Sequence, residues 1–242
     1  MSAWWTAPLV VGHRGGRGAG WPPENTLPAF EHARRQGARA IELDVRTCAG
    51  ASVVVFHDRT LARLTAQRDA RDVSEVPEAE LLRVDLGGAT IPTLADVLDW
   101  ARTSGVAVNV EMKHDVPRRS ALARATADVV RASRADVLLS SFDPLLLALT
   151  AAIAPSIPRA FLTETRRPPW ARAFEGVARP PLVHALHLER TSATADRVAR
   201  CRRRGLRVGA WTVNDPAEAR ELVRFGVASI ITDRPGDILG NF

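Results

Sequence analysis

His13 and His57 each close a short, β-branched apolar run. An imidazole delivered there is a proton carrier near neutral pH, or else a structural histidine satisfied by its neighbours. In IELDV (Ile41–Val45), Glu42 and Asp44 are two apart. On a strand they share one face, and Ile41, Leu43 and Val45 take the other. Paired carboxylates raise each other's pKa unless a cation lies between them. They read either as oxygen ligands for a hard metal or as partners of arginine. Glu111 and Lys113 repeat the spacing. They read as a third carboxylate beside a cation for an anionic substrate, or as a local ion pair. Arg14 precedes Gly15 and Gly16, and arginine beside glycine-exposed amides suits phosphate. Glu24, Asn25 and Thr26 lead into a helix, where Asn25 or Thr26 is a natural N-cap. Trp211, in WTVND, offers an apolar wall for a glycerol or alcohol group. Together these residues predict acid/base chemistry beside a metal, on a phosphate ester.

The elements that must position them alternate along the chain. Apolar runs bounded by turn residues predict strands at Leu9–Gly12, Ala40–Val45, Ser52–Phe56, Val106–Glu111, Val137–Ser140, Arg159–Leu162, Ala185–Leu188, Arg207–Thr212 and Ser229–Thr232. Three- and four-residue apolar spacing predicts helices at Thr26–Gln36, Leu94–Thr103, Arg118–Ala132, Pro144–Ala152, Trp170–Ala178, Thr194–Arg204 and Pro216–Phe225, with a short turn near Pro235–Leu239. The alternation is that of an α/β chain. Too few residues separate Ala40–Val45 from Ser52–Phe56 for a crossover helix, so a hairpin-like excursion or an irregular link is expected there. The polar stretch Arg59–Ile91 reads as an insertion unable to bury its own core. His184 and His187 fall on opposite strand faces, a poor metal pair, and read as structural.

The chain has 242 residues, of which 46% are hydrophobic and 25% charged. That suits one large domain over residues 1–242, close to the size of a closed β/α barrel. No apolar run is long enough for a membrane span, and no basic segment opens a signal peptide. Two distant cysteines, Cys48 and Cys201, make no disulfide framework, so a cytoplasmic setting is expected. The net charge is +6, but the arginines are scattered and aromatics are 5%, so no nucleic-acid partner is expected. Lys113 is the only lysine among 33 basic residues. A compact point charge in place of the planar arginine fork suits a tight phosphate pocket.

HRGG, PENT, ELDV, FHD with Leu61, IPTL, EMK, SSFDP, WTVND and IITDRP occur in one order over nearly the whole chain. In this the sequence resembles the bacterial glycerophosphodiester phosphodiesterases. The resemblance implies a (β/α)8 TIM barrel with a small insertion after the second strand region. It implies a phosphoric diester hydrolase that releases glycerol 3-phosphate and an alcohol from small-molecule glycerophosphodiesters. His13 and His57 would be the acid/base pair, and Glu42, Asp44 and Glu111 would hold a divalent metal, magnesium or calcium. Arg14 and Lys113 would contact phosphate, with Glu24 and Asn25 lining the site. The alternatives are a lysophospholipase D-type activity, with Trp4, Trp5 and Trp21 near the mouth favouring a lipid chain, and a noncatalytic phosphodiester-binding protein. Alcohol preference and oligomeric state stay open.

Overall fold

A computed structural model describes residues 2–5, 8–166 and 168–241. Nine strands form one sheet: β1 Leu9–Gly12, β2 Ala40–Thr47, β3 Val53–Val55, β4 Ala107–Met112, β5 Val137–Ser141, β6 Arg159–Thr163, β7 Ala185–Glu189, β8 Arg207–Trp211 and β9 Ser229–Thr232. Eight of them run parallel in the order β1-β9-β8-β7-β6-β5-β4-β2, and the β1–β2 pairing closes the circle. The helices are α1 Leu27–Arg35, α2 Glu78–Leu81, α3 Leu94–Ser104, α4 Arg119–Ser133, α5 Pro144–Ile153, α6 Pro169–Val177, α7 Ala195–Arg203, α8 Pro216–Phe225 and α9 Pro235–Leu239. The architecture is a (β/α)8 barrel. The extra strand is an antiparallel hairpin: β3 pairs back on β2, Val55 opposite Val45.

Period-two alternation sorts the strands. Ile41, Leu43, Val45, Val108 and Val110 face outward into one apolar layer beneath the helices. Inside, the barrel floor is Leu9, Val11, Ala40, Ala107, Leu138, Ala160, Ala185 and Ile231. Four of these are alanines, and the space they leave is filled by Trp4, which is 6% exposed. Asp136 anchors that segment, accepting from the Ser2 hydroxyl and the Ala3 amide, both at 2.7 Å. These floor residues lie at the strands' N-terminal ends. Trp4 is therefore a plug at the base, not a wall of the mouth, which corrects the sequence expectation. Residues ahead of β1 necessarily lie at its starting end. Trp21 packs against His32 with ring centroids 4.2 Å apart and planes tilted by 51°, and the side chain of Trp5 lies outside the described residues.

The Arg59–Ile91 stretch buries its apolar side chains together with the hairpin. Leu61, Val73, Val76, Leu81, Leu86 and Ile91 join Cys48, Val54 and Phe56 in a core of their own beside the barrel. The hairpin supplies the apolar surface that the insertion lacks.

Caps fix where the helices start and hence how the loops leave the barrel. Thr26 caps α1, and Asp215 caps α8 by accepting from the Glu218 amide at 2.8 Å. Gly226 ends α8 in the left-handed region (φ 97°), open to glycine at no cost.

Candidate active site

The C-terminal strand ends converge on a cavity of about 380 Å³. Its lining includes His13, Arg14, Arg17, Glu42, His57, Asn109, Glu111, Lys113 and Trp211. Glu42 reaches it from β2 and Glu111 from β4, and the β2–β4 register sets Asp44 beside Glu111. One oxygen from each of Glu42, Asp44 and Glu111 lies within 4.8 Å of the other two, all three residues buried. Burial, reinforced by the charges of Asp44 and Glu111, holds the Glu42 carboxyl well above its ordinary pKa. Glu42 Oε1 is buried and has no partner among the described residues. Clustered, buried carboxylate oxygens are a donor set suited to a hard divalent cation.

Lys113 Nζ donates to Glu111 at 2.8 Å and to Asp44 at 3.4 Å. Burial alone would lower its pKa, but the two carboxylates outweigh burial and raise it. Arg14 lies on the opposite side of Asp44, its Nε 3.2 Å from Oδ2. Its backbone amide donates to Glu42 Oε2 at 3.0 Å, from a left-handed conformation (φ 53°) costly for a side-chain-bearing residue. Gly15 and Gly16 were expected to let backbone approach a ligand. A Cβ on Gly15 would sit 2.8 Å from the Ala29 carbonyl carbon, and one on Gly16 would enter the Trp21 ring. Gly15 lets the loop seat on α1, and Gly16 lets it pass close to Trp21.

Glu24 and Asn25 stand behind the cavity wall rather than in it. Glu24 binds Arg14 at 2.8 Å and Arg63 at 2.7 Å. Asn25 donates to Asp44 Oδ2 at 2.9 Å. They orient the residues that face the cavity. Trp211 stands in the wall, donating its indole N–H to the His187 carbonyl at 3.1 Å and meeting Phe142 edge-on at 5.5 Å.

Each histidine has a carboxylate on Nδ1. His13 pairs with Asp233 at 2.8 Å and His57 with Asp58 at 2.6 Å. An Nδ1 partner fixes the tautomer and leaves Nε2 for proton transfer. Asp233 is itself held by Arg17 Nε at 2.9 Å and Asn214 Nδ2 at 3.0 Å. Asp58 accepts from Arg63 Nε. Burial raises both acids, but hydrogen bonds from these partners and the histidines outweigh it and keep them below the usual carboxylate range. Burial, with the charges of Lys113 and Arg14, lowers the His57 pKa despite Asp44 and Asp58. Sequence reasoning missed both aspartates. Both stand in motifs that carry the resemblance, Asp58 in FHD and Asp233 in IITDRP, but Asp233 reaches His13 across 220 residues and only through the β1–β9 pairing.

His187 faces the barrel interior, fully buried, and His184 accepts from the Arg159 amide at 3.2 Å, so neither enters the site.

The glycerophosphoryl diester phosphodiesterase family matches the chain over residues 13–237. An uncharacterized Bacillus subtilis protein, YqiK, is 31% identical over 93% of this chain and 95% of its own length. A glycerophosphodiester phosphodiesterase of Caldanaerobacter subterraneus is 28% identical over 96% of each chain. A solved Oleispira antarctica phosphodiesterase, in complex with the product sn-glycerol-3-phosphate, superposes with a TM-score of 0.85 at 26% identity, covering 97% of this chain and 96% of its own.

Proposed function

The chain belongs to the glycerophosphoryl diester phosphodiesterase family and is a phosphoric diester hydrolase, and on that premise we propose a metal-dependent, two-histidine hydrolysis of glycerophosphodiesters to glycerol 3-phosphate and an alcohol. The observation that carries the reading is the pair of histidine–carboxylate couples beside the Glu42, Asp44 and Glu111 cluster. The sn-glycerol-3-phosphate bound by the Oleispira relative supports the same product here.

Glu42, Asp44 and Glu111 would hold a divalent cation, magnesium or calcium, which when bound supplies Lewis-acid stabilisation of phosphoryl charge. Arg14 and Lys113 share the charge on the phosphate. One imidazole takes a proton from the attacking oxygen, and the other gives one to the departing alcohol. Asp58 and Asp233 keep each ring in the tautomer that leaves Nε2 to the cavity. Glu24 and Asn25 hold Arg14 and Asp44 in place.

Removing either imidazole should cost about 10²–10⁴-fold in kcat on glycerophosphocholine. A p-nitrophenyl ester of glycerol 3-phosphate separates the roles, because nitrophenol leaves without a proton. Of His13→Ala and His57→Ala, one should recover most of its loss on that ester and the other should not. Folded variants that both retain full turnover of glycerophosphocholine would remove the assignment.

A further inference from the structure

Asn109 is the deepest residue that β4 gives the reaction cavity, two places before Glu111 and on the same inward face. It is 1% exposed, and neither its amide nitrogen nor its amide oxygen has a partner among the described residues. Among those residues no other side chain has two buried polar atoms without a partner. A buried amide left unmet is destabilising. An apolar side chain would avoid that penalty, and the register neighbour on β5 is apolar: Asn109 pairs with Leu138 of the barrel floor. On β2 its register neighbour is Glu42, a carboxylate of the site itself. Packing gives no reason for an amide here, whereas a ligand in the cavity does.

An amide offers an acceptor and a donor side by side. Two hydroxyls on neighbouring carbons match it, one donating to Oδ1 and the other accepting from Nδ2. Ionised phosphate oxygens only accept, so they would meet the nitrogen alone. The cations assigned to phosphate also stand elsewhere: Arg14 follows β1, and Lys113 lies four residues beyond Asn109, past the end of β4. With the phosphate held there, the departing alcohol takes the side of the mouth and the glycerol takes the depth. Resting on the reaction proposed above, we propose that Asn109 recognises the adjacent hydroxyl pair of the substrate's glycerol and so selects a vicinal diol at the retained end.

The test measures competitive inhibition of glycerophosphocholine turnover in the metal-loaded protein. The inhibitors are glycerol 3-phosphate, glycerol 2-phosphate, propane-1,2-diol 1-phosphate and propane-1,3-diol phosphate. Only the first carries free hydroxyls on neighbouring carbons. The wild type should bind it about ten- to hundred-fold more tightly than each of the others. Asn109→Leu, close in size, should lose most of that preference and weaken glycerol 3-phosphate more than inorganic phosphate. Asn109→Ala gives the same reading if leucine does not fit. An amide that only supports the fold or the metal site would, on removal, weaken all four inhibitors alike and leave their ratios unchanged. That result, or no preference in the wild type, overturns the inference, and turnover of glycerophosphocholine then leaves the reaction standing. No release from glycerophosphocholine by the wild type overturns both.

Discussion

At the scale of the residue, the functional groups were legible where alternation alone decides direction. Glu42, Asp44, Glu111 and Lys113 face inward because their strands bury the intervening apolar residues outward. The groups that escaped notice act through contacts no local pattern encodes. His187, which reads from the sequence as structural, carries a titration that no local pattern encodes: its Nδ1 has no partner among the described residues, and burial lowers its pKa to about 4. The unfolded chain takes up this proton below about pH 6.5, while the folded protein resists it until about pH 4. His187 therefore costs no stability above pH 6.5, and stability falls as pH drops through that window, by about 3 kcal/mol in all. Denaturant melts of the wild type and His187→Gln between pH 4 and 8 should diverge across that interval only, with the variant the less pH-sensitive. Parallel curves would show that His187 titrates alike in both states.

At the scale of the element, all nine predicted strands and the eight predicted helical segments are present, with ends shifted by a residue or two. Short apolar runs between glycines and prolines leave the chain few other ways to bury surface. The four-residue α2 gave no periodicity to read, and the insertion's core became visible only once β3 folded back on β2. That hairpin must also hold His57. Arg46, 4% exposed near the end of β2, donates to the His57 carbonyl at 2.8 Å and to both Asp115 oxygens at 2.8 and 2.9 Å. It straps the His57 turn to the loop after β4. Arg46→Met should lower stability by about 2–3 kcal/mol and reduce kcat about ten-fold or more with KM little changed. Loss of stability with kcat intact would make Arg46 a structural residue only.

For the whole molecule, the barrel divides labour between its ends: chemistry at the C-terminal rim and closure at the base, where Trp4 fills the space above four alanines. Trp4→Ala should destabilise the protein by about 3–5 kcal/mol, seen as a lower urea midpoint, and leave kcat/KM on glycerophosphocholine unchanged below the melting range. A variant of wild-type stability would contradict the plug. The rim was legible as a list of motifs but not as a geometry. Asp233 comes from the last strand and His13 from the first, and barrel closure alone sets them 2.8 Å apart.

On the proposed function, these strand ends hold a cation and hydrolyse a glycerophosphodiester. This is tested most directly by following glycerol 3-phosphate release from glycerophosphocholine with magnesium, with calcium and with excess chelator. Release is expected with at least one of the two metals and should be lost in chelator and restored when metal is returned. Undiminished release in excess chelator would contradict the role given to Glu42, Asp44 and Glu111.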